Sequence, residues 1–239
     1  MVGLVSDVGL KRSLNQDYAS YLENEHFKIY VVADGMGGHN GGEVASQMAV
    51  KGILDYVEEK YHIDDKENLI TKAIENANKN IFEFSKANEE LKGMGTTVTA
   101  CLMTDKFLHV ANVGDSSCLA IKDGKIKKIT KDHSLVQELL DSGSITEEDA
   151  INHPKKNIIT RALGTSSTVK VDVFPLNNKD YDTYILCSDG LTNELTYEDI
   201  MGVINKYGNY DVIAERLVEL ANEKGGRDNI TVLLFGGEM

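Results

Sequence analysis

Tryptophan is absent from this chain, proline occurs twice and cysteine three times in 239 residues. With only Pro154 and Pro175, and no Ser/Gly-rich or low-complexity stretch, no interdomain linker stands out, so residues 1–239 are expected to form one domain. Cys101, Cys118 and Cys187 each sit in an apolar run and form no C-x-x-C pair. That spacing supports neither a disulfide framework nor a zinc ribbon; it reads as reduced core thiols in a cytoplasmic protein. The N-terminus shows no basic stretch followed by an apolar one, and no run approaches the ~18–20 apolar residues of a membrane span. Basic residues are also in short supply, 25 against 38 acidic, a net charge of −13. This deficit argues against a nucleic-acid partner and against an anionic membrane surface. No excess of amphipathic surface calls for more than a monomer.

What is present is β-rich. Short runs rich in Val, Ile, Thr and Tyr occur at 4–8, 18–22, 27–33, 96–103, 107–113, 117–121, 169–173, 182–187 and 229–235, bounded by turns such as Lys122-Asp123-Gly124. Helical periodicity places Val44, Met48, Gly52, Ile53 and Val57 on one face. It does the same for Ile70, Ala73, Ile74, Ala77, Ile81 and Phe84, and for Ile213, Leu217, Leu220 and Ala221. Capping-box patterns at Thr146-x-x-Asp149 and Thr196-x-x-Asp199 announce two shorter helices. Long helices between groups of hairpin-like strands predict an α+β fold, an antiparallel sheet system with helices packed outside it.

The chemistry is suggested by where certain aspartates fall. Apolar runs lead into Asp34-Gly35, Gly114-Asp115 and Asp189-Gly190, while Asp228 precedes the last run. If that last strand is antiparallel to the others, four carboxylates converge on one sheet edge, an oxygen-rich cluster suited to Mg²⁺ or Mn²⁺. An Asp-Gly step taken alone is more often a turn, as Asp123-Gly124 is read here. The stretch Asp34-Gly-Met-Gly-Gly-His-Asn-Gly-Gly42 is unusual in glycine content but lacks the Lys-Ser/Thr of a P-loop. Arg12, one of four arginines, lies in a polar segment just after the first strand and suits phosphate.

Eight segments, in order, resemble the metal-dependent serine/threonine protein phosphatases of the 2C type in their bacterial single-domain form. They are Ser6-Asp-Val-Gly-x-x-Arg12-x-x-Asn15-Gln-Asp17, Val32-Ala-Asp-Gly-Met-Gly-Gly-His39, Gly93-Met-Gly-Thr-Thr97, Ala111-Asn-Val-Gly-Asp-Ser116, Asp132-His-Ser134, Ile159-Thr-Arg-Ala-Leu-Gly164, Ser188-Asp-Gly-Leu-Thr192 and Arg227-Asp-Asn-Ile-Thr231.

The resemblance implies a four-layer α/β/β/α sandwich, two antiparallel β-sheets flanked by helix pairs, with a flap insert at about 133–164. It implies two divalent ions or three, Mn²⁺ or Mg²⁺, with Asp34 bridging and the Gly35 carbonyl, Asp189 and Asp228 as further ligands. Asp115, with Asp189, matches a third-metal site. Arg12 matches the phosphate-binding residue and Asp17 the acid that orients the attacking water. The implied reaction is hydrolysis of phosphoserine and phosphothreonine in proteins, reversing a bacterial Ser/Thr kinase. Two departures stand out. Met36 replaces the histidine many eukaryotic members carry, leaving His39 or a metal-associated water to protonate the leaving group. Gln16 replaces a frequent glutamate, which leaves it to act through water. Arg161 fits either contact with the phosphoprotein or anchorage of the flap, and Lys155 and Lys156 are placed beside an incoming substrate. A pseudo-phosphatase that keeps the fold as a binding surface is the rival reading, and a phosphatase for an anti-sigma-factor antagonist a narrower one.

Overall fold

The computed structural model describes residues 1–37, 41–151 and 153–238. The central strands of both sheets are buried on both faces, which is why they read as continuous apolar runs rather than as alternating ones. In β3 (Lys28–Met36), Ile29, Val31 and Ala33 face helices while Tyr30 and Val32 face a second sheet. In β11 (Ile230–Gly236), Ile230, Val232 and Leu234 face a different helix layer, and Leu233 and Phe235 face inward.

One sheet has the order β1 (Val2–Asp7), β11, β10 (Thr183–Cys187), β7 (Ser117–Lys122) and β8 (Lys125–Lys128). The other has β2 (Asp17–Glu23), β3, β5 (Val98–Met103), β6 (Leu108–Val113) and β9 (Asp172–Leu176), with the two-residue β4 (Gly95–Thr96) paired to the end of β3. All pairings are antiparallel. Between the sheets the rings of Tyr30 and Phe235 stack with centroids 3.7 Å apart. Helices α1 (Gly41–Lys60) and α2 (Leu69–Ala87) cover the second sheet. Helices α5 (Asp189–Thr192), α6 (Tyr197–Lys206) and α7 (Tyr210–Lys224) cover the first. This is the α+β four-layer sandwich expected from the sequence.

Both capping boxes form. Thr196 Oγ1 accepts from the Asp199 amide at 3.2 Å and Asp199 Oδ2 accepts from the Thr196 amide at 2.9 Å, opening α6. The Thr146–Asp149 pair does the same for α4 (Glu147–Ile151). Three local expectations shift. The buried face of α1 is Ala45, Ser46, Ala49, Val50, Ile53 and Val57, one step round from the predicted stripe, because small residues let the helix approach the sheet closely. Phe84 of α2 is exposed. The strand expected at 169–173 is displaced to β9, where Asp172 is held by side chains of the segment before it. The sheet edge β8, rich in lysine, follows the Asp123-Gly124 turn. Between β8 and β9, residues 133–164 carry α3 (Leu135–Asp141) and α4 and return through a bridge between Thr96 and Leu163.

Candidate active site

Strand polarity brings the predicted carboxylates together. β11 is antiparallel to β10, so Asp228 at the start of one lies beside Asp189 at the end of the other. In the second sheet Asp17 is the register partner of Asp34. Gly114-Asp115 leaves β6 at the same edge. Mutual repulsion records their proximity: the pKa of Asp34 is held well above the usual carboxylate range, first by burial and then by Asp17, Asp189, Asp115 and Asp228. Burial, then the Asp189 charge, pushes Asp115 up to about 7. Burial and the Asp228 charge push Asp189 up to about 6.

Asp17, Asp34 and Asp189 are fixed by neighbours the sequence reading did not single out. Asp17 Oδ2 accepts from Ser188 Oγ and from Thr231 Oγ1, both at 2.7 Å. Those bonds oppose the burial that nonetheless raises Asp17 to about 7. The Asp34 amide donates to Thr97 Oγ1 at 3.0 Å, and its carbonyl accepts from the Thr97 amide at 2.8 Å and from Thr96 Oγ1 at 2.9 Å. Asn193 Nδ2 donates to Asp189 Oδ2 at 2.9 Å. Asn229 ties three segments, accepting from the Gln16 amide and donating to the Val8 and Leu14 carbonyls. At Gly35 a Cβ would meet the Gly42 carbonyl oxygen at 2.1 Å and that of Gln16 at 2.6 Å, so only glycine lets these backbones close around Asp34. Arg12 donates through Nη2 to Asp228 Oδ2 at 2.8 Å, and its guanidinium is half exposed. His39 lies outside the described residues.

One oxygen on each of Asp17, Asp115 and Asp189 is buried without a hydrogen-bond partner among the described residues. Buried carboxylate oxygens left unpaired and repelling one another call for positive charge. An all-oxygen donor set of this kind fits a hard divalent cation. Among the described residues no three such side chains are gathered into a closed cage as they stand, Asp228 being held by Arg12 and Asp189 by Asn193.

A second cluster joins the 133–164 segment to this edge. The Gly114 amide donates to His133 Nδ1 at 2.9 Å, leaving Nε2–H to donate to Asp172 Oδ2 at 3.1 Å. Arg161 Nη1 donates to Asp172 Oδ1 at 2.9 Å and to the Lys170 carbonyl at 3.2 Å. Of the two roles open to Arg161, these contacts are those of an anchor. Lys156 lies near enough to Asp189 to favour its charged form.

The protein phosphatase 2C family model matches residues 11–231, nearly the whole chain. The chain belongs to the protein phosphatase 2C family. Among its relatives is the serine/threonine phosphatase stp of Listeria monocytogenes, 41% identical over 233 residues that cover 96% of this chain and 92% of that one. The protein phosphatase PhpP of Streptococcus pneumoniae is 36% identical over 236 residues, 98% of this chain and 96% of that protein. The solved serine/threonine phosphatase of S. agalactiae superposes with a TM-score of 0.91 at 38% identity, covering 98% of both chains. Phosphatases of the 2C family are metal-dependent, in keeping with the unpaired carboxylate oxygens above.

Proposed function

We propose that this 2C-type phosphatase hydrolyses phosphoserine and phosphothreonine in proteins, opposing a Ser/Thr kinase, with the acidic sheet edge as its active site. The observation that carries the reading is the convergence of Asp34, Asp115, Asp189 and Asp228, with mutually raised pKa values and unpaired oxygens, beside the guanidinium of Arg12. Asp34, Asp189 and Asp228, with the Gly35 carbonyl, would hold two ions, and Asp115 with Asp189 a third. Mn²⁺ or Mg²⁺ bound there would lower the pKa of water toward neutrality and offset charge on the phosphoryl group.

The protein's own groups do the rest. Arg12 presents a half-exposed planar donor fork to the phosphate, and Asp228, already paired with it, sets its position. Asp17 is clamped at Oδ2 by Ser188 and Thr231, which leaves Oδ1 to accept a proton from the attacking water. In-line attack of that water on phosphorus breaks the bond to the serine or threonine oxygen. Inorganic phosphate and a free hydroxyl are the products. No cysteine takes part, since burial raises the pKa of each of the three thiols. Residues 133–164 act as a flap over the site, anchored through Arg161, Asp172 and His133, in a single catalytic domain spanning 1–239.

The test is hydrolysis of p-nitrophenyl phosphate and of a phosphothreonine peptide with Mn²⁺ and with EDTA. Turnover in Mn²⁺ that EDTA abolishes, and that is lost in Asp34→Ala and Asp189→Ala with the fold retained, is expected. Metal-independent hydrolysis, or none with Mn²⁺, overturns the reading. The second of these, with no Mn²⁺ bound by calorimetry, would favour the pseudo-phosphatase.

A further inference from the structure

Behind β4 the C-terminal end of α2, the residues after it and the close of the flap segment surround a cavity of about 580 Å³, within the range of ligand sites. Phe82, Ser85 and Gly164 form its inner wall, and Lys86, Lys92 and Gly93 stand at its mouth. We propose that this cavity docks an acidic stretch of the phosphoprotein substrate, one apolar side chain resting on Phe82 and flanking carboxylates meeting Lys86 and Lys92. The proposal rests on the phosphatase reading above and extends it to substrate choice.

Charge singles out the occupant. In a chain of net charge −13, neither Lys86 nor Lys92 is paired with a carboxylate among the described residues, and Glu89 is the single acid on the rim. Lys86 Nζ instead lies 4.4 Å from the Phe82 ring centroid, which joins the positive head to the apolar wall. An acidic, apolar peptide complements both; a basic one meets like charge at the mouth. At Gly93, with φ +79°, a Cβ would have no atom within 4 Å, so the mouth is open.

The cavity is also within a peptide's reach of the site. The Gly93 amide donates to Ser85 Oγ at 3.1 Å, and two residues later Gly95 pairs with Met36, itself two residues from Asp34. That path is about 18 Å at most, or five to six residues of extended chain. On the other wall, the Gly164 amide donates to Asn78 Oδ1 at 2.9 Å, next to Leu163, whose carbonyl accepts from the Thr96 amide at 3.2 Å. A peptide seated here therefore lies against the segment that leads into Thr96 and Thr97, which brace Asp34, and against the segment that braces Thr96.

The test compares phosphothreonine peptides bearing Glu-Leu-Glu five residues before or after the phosphoresidue with counterparts bearing Lys-Ser-Lys, and p-nitrophenyl phosphate as a substrate too small to reach the cavity. The wild-type enzyme with Mn²⁺ should favour one Glu-Leu-Glu peptide at least tenfold in kcat/KM. Lys86→Glu combined with Lys92→Glu should remove that preference with p-nitrophenyl phosphate turnover unchanged. The unphosphorylated Glu-Leu-Glu peptide, fluorescently labelled, should bind the wild type and not the double variant by anisotropy. No preference, a preference that survives the double substitution, or an equal loss on p-nitrophenyl phosphate overturns the docking site. If no substrate is turned over at all, the phosphatase reading fails, and anisotropy alone decides whether the peptide docks.

Discussion

At the scale of single residues the site stores electrostatic strain. Asp34 is buried among like charges, and its carboxylate form is disfavoured first by burial. Asp34→Asn keeps the shape and removes the charge. It should abolish turnover and at the same time stabilise the metal-free protein by ~1–3 kcal/mol, a rise of several degrees in the melting temperature measured in EDTA. Unchanged or lowered melting would show that Asp34 is not strained. Ser188 makes the complementary case. Its hydroxyl donates to Asp17 Oδ2 and accepts from the Thr231 amide at 3.0 Å, so Ser188→Ala deprives that amide of this acceptor and leaves Asp17 Oδ2 held by Thr231 Oγ1 without its second donor. The expected outcome is a fall in kcat of ~10–100-fold with KM nearly constant, read from steady-state kinetics on p-nitrophenyl phosphate. A change confined to KM would place Asp17 outside the chemical step.

At the scale of elements, the flap segment is secured by one histidine. Burial lowers the pKa of His133 below 6.5, and the Asp172 charge and hydrogen bond only partly offset this. Below pH 6.5 His133 takes up a proton in the unfolded chain that it does not take up in the folded one, so its own contribution to stability falls as pH drops from 6.5 into the folded pKa. Asp172 is depressed as well, and its contribution is lost separately, at pH values below its unfolded pKa of 3.8. His109 is lowered by burial too and shares this sign, while the raised Asp17, Asp115 and Asp189 act with the opposite sign in the same window, so the readout is a difference: in denaturant melts without metal, His133→Asn should gain stability relative to wild type as pH falls from 7 to 5. An identical slope would remove His133 from the account.

Elements were legible in the sequence where burial is two-sided. The runs ending at Asp34 and Asp189 are apolar throughout because helices lie on one side and the other sheet on the opposite side. The convergence of acids was legible only on the condition that the last strand is antiparallel to its neighbours, which the pairing of β11 with β1 and β10 meets. The face of α1 was read one step off because Gly42, Ala45, Ser46 and Ala49 pack by closeness rather than bulk, which periodicity of large apolar residues does not register. The β9 edge was misplaced because Asp172 and Pro175, poor strand formers by type, are fixed there by Arg161 and by an edge position that needs no amide from proline. The partners of Asp17 could not be read at all. Ser188 and Thr231 lie 171 and 214 residues away, and no local pattern marks a hydroxyl that will meet a carboxylate across the sandwich.

At the scale of the molecule, the acidic balance divides into a solvated surface and a concentrated edge. Ions that bind the folded edge and not the unfolded chain stabilise by mass action, about 2.7 kcal/mol at a hundredfold excess over the dissociation constant. Mn²⁺ should therefore raise the melting temperature reversibly with EDTA, with a smaller rise in Asp34→Asn; equal shifts would place binding elsewhere. The sheet order carries a separate consequence, for synthesis. β11, the last strand made, is inserted between β1, the first, and β10, with Val2 opposite Phe235. Arg12 follows β1 and Asp228 introduces β11, so the proposed site joins segments far apart in sequence. A nascent chain that has not yet released β11 lacks the strand that joins β1 to β10 and one of the four clustered aspartates. The acidic cluster is therefore complete only once β11 has been made and has paired with β1 and β10.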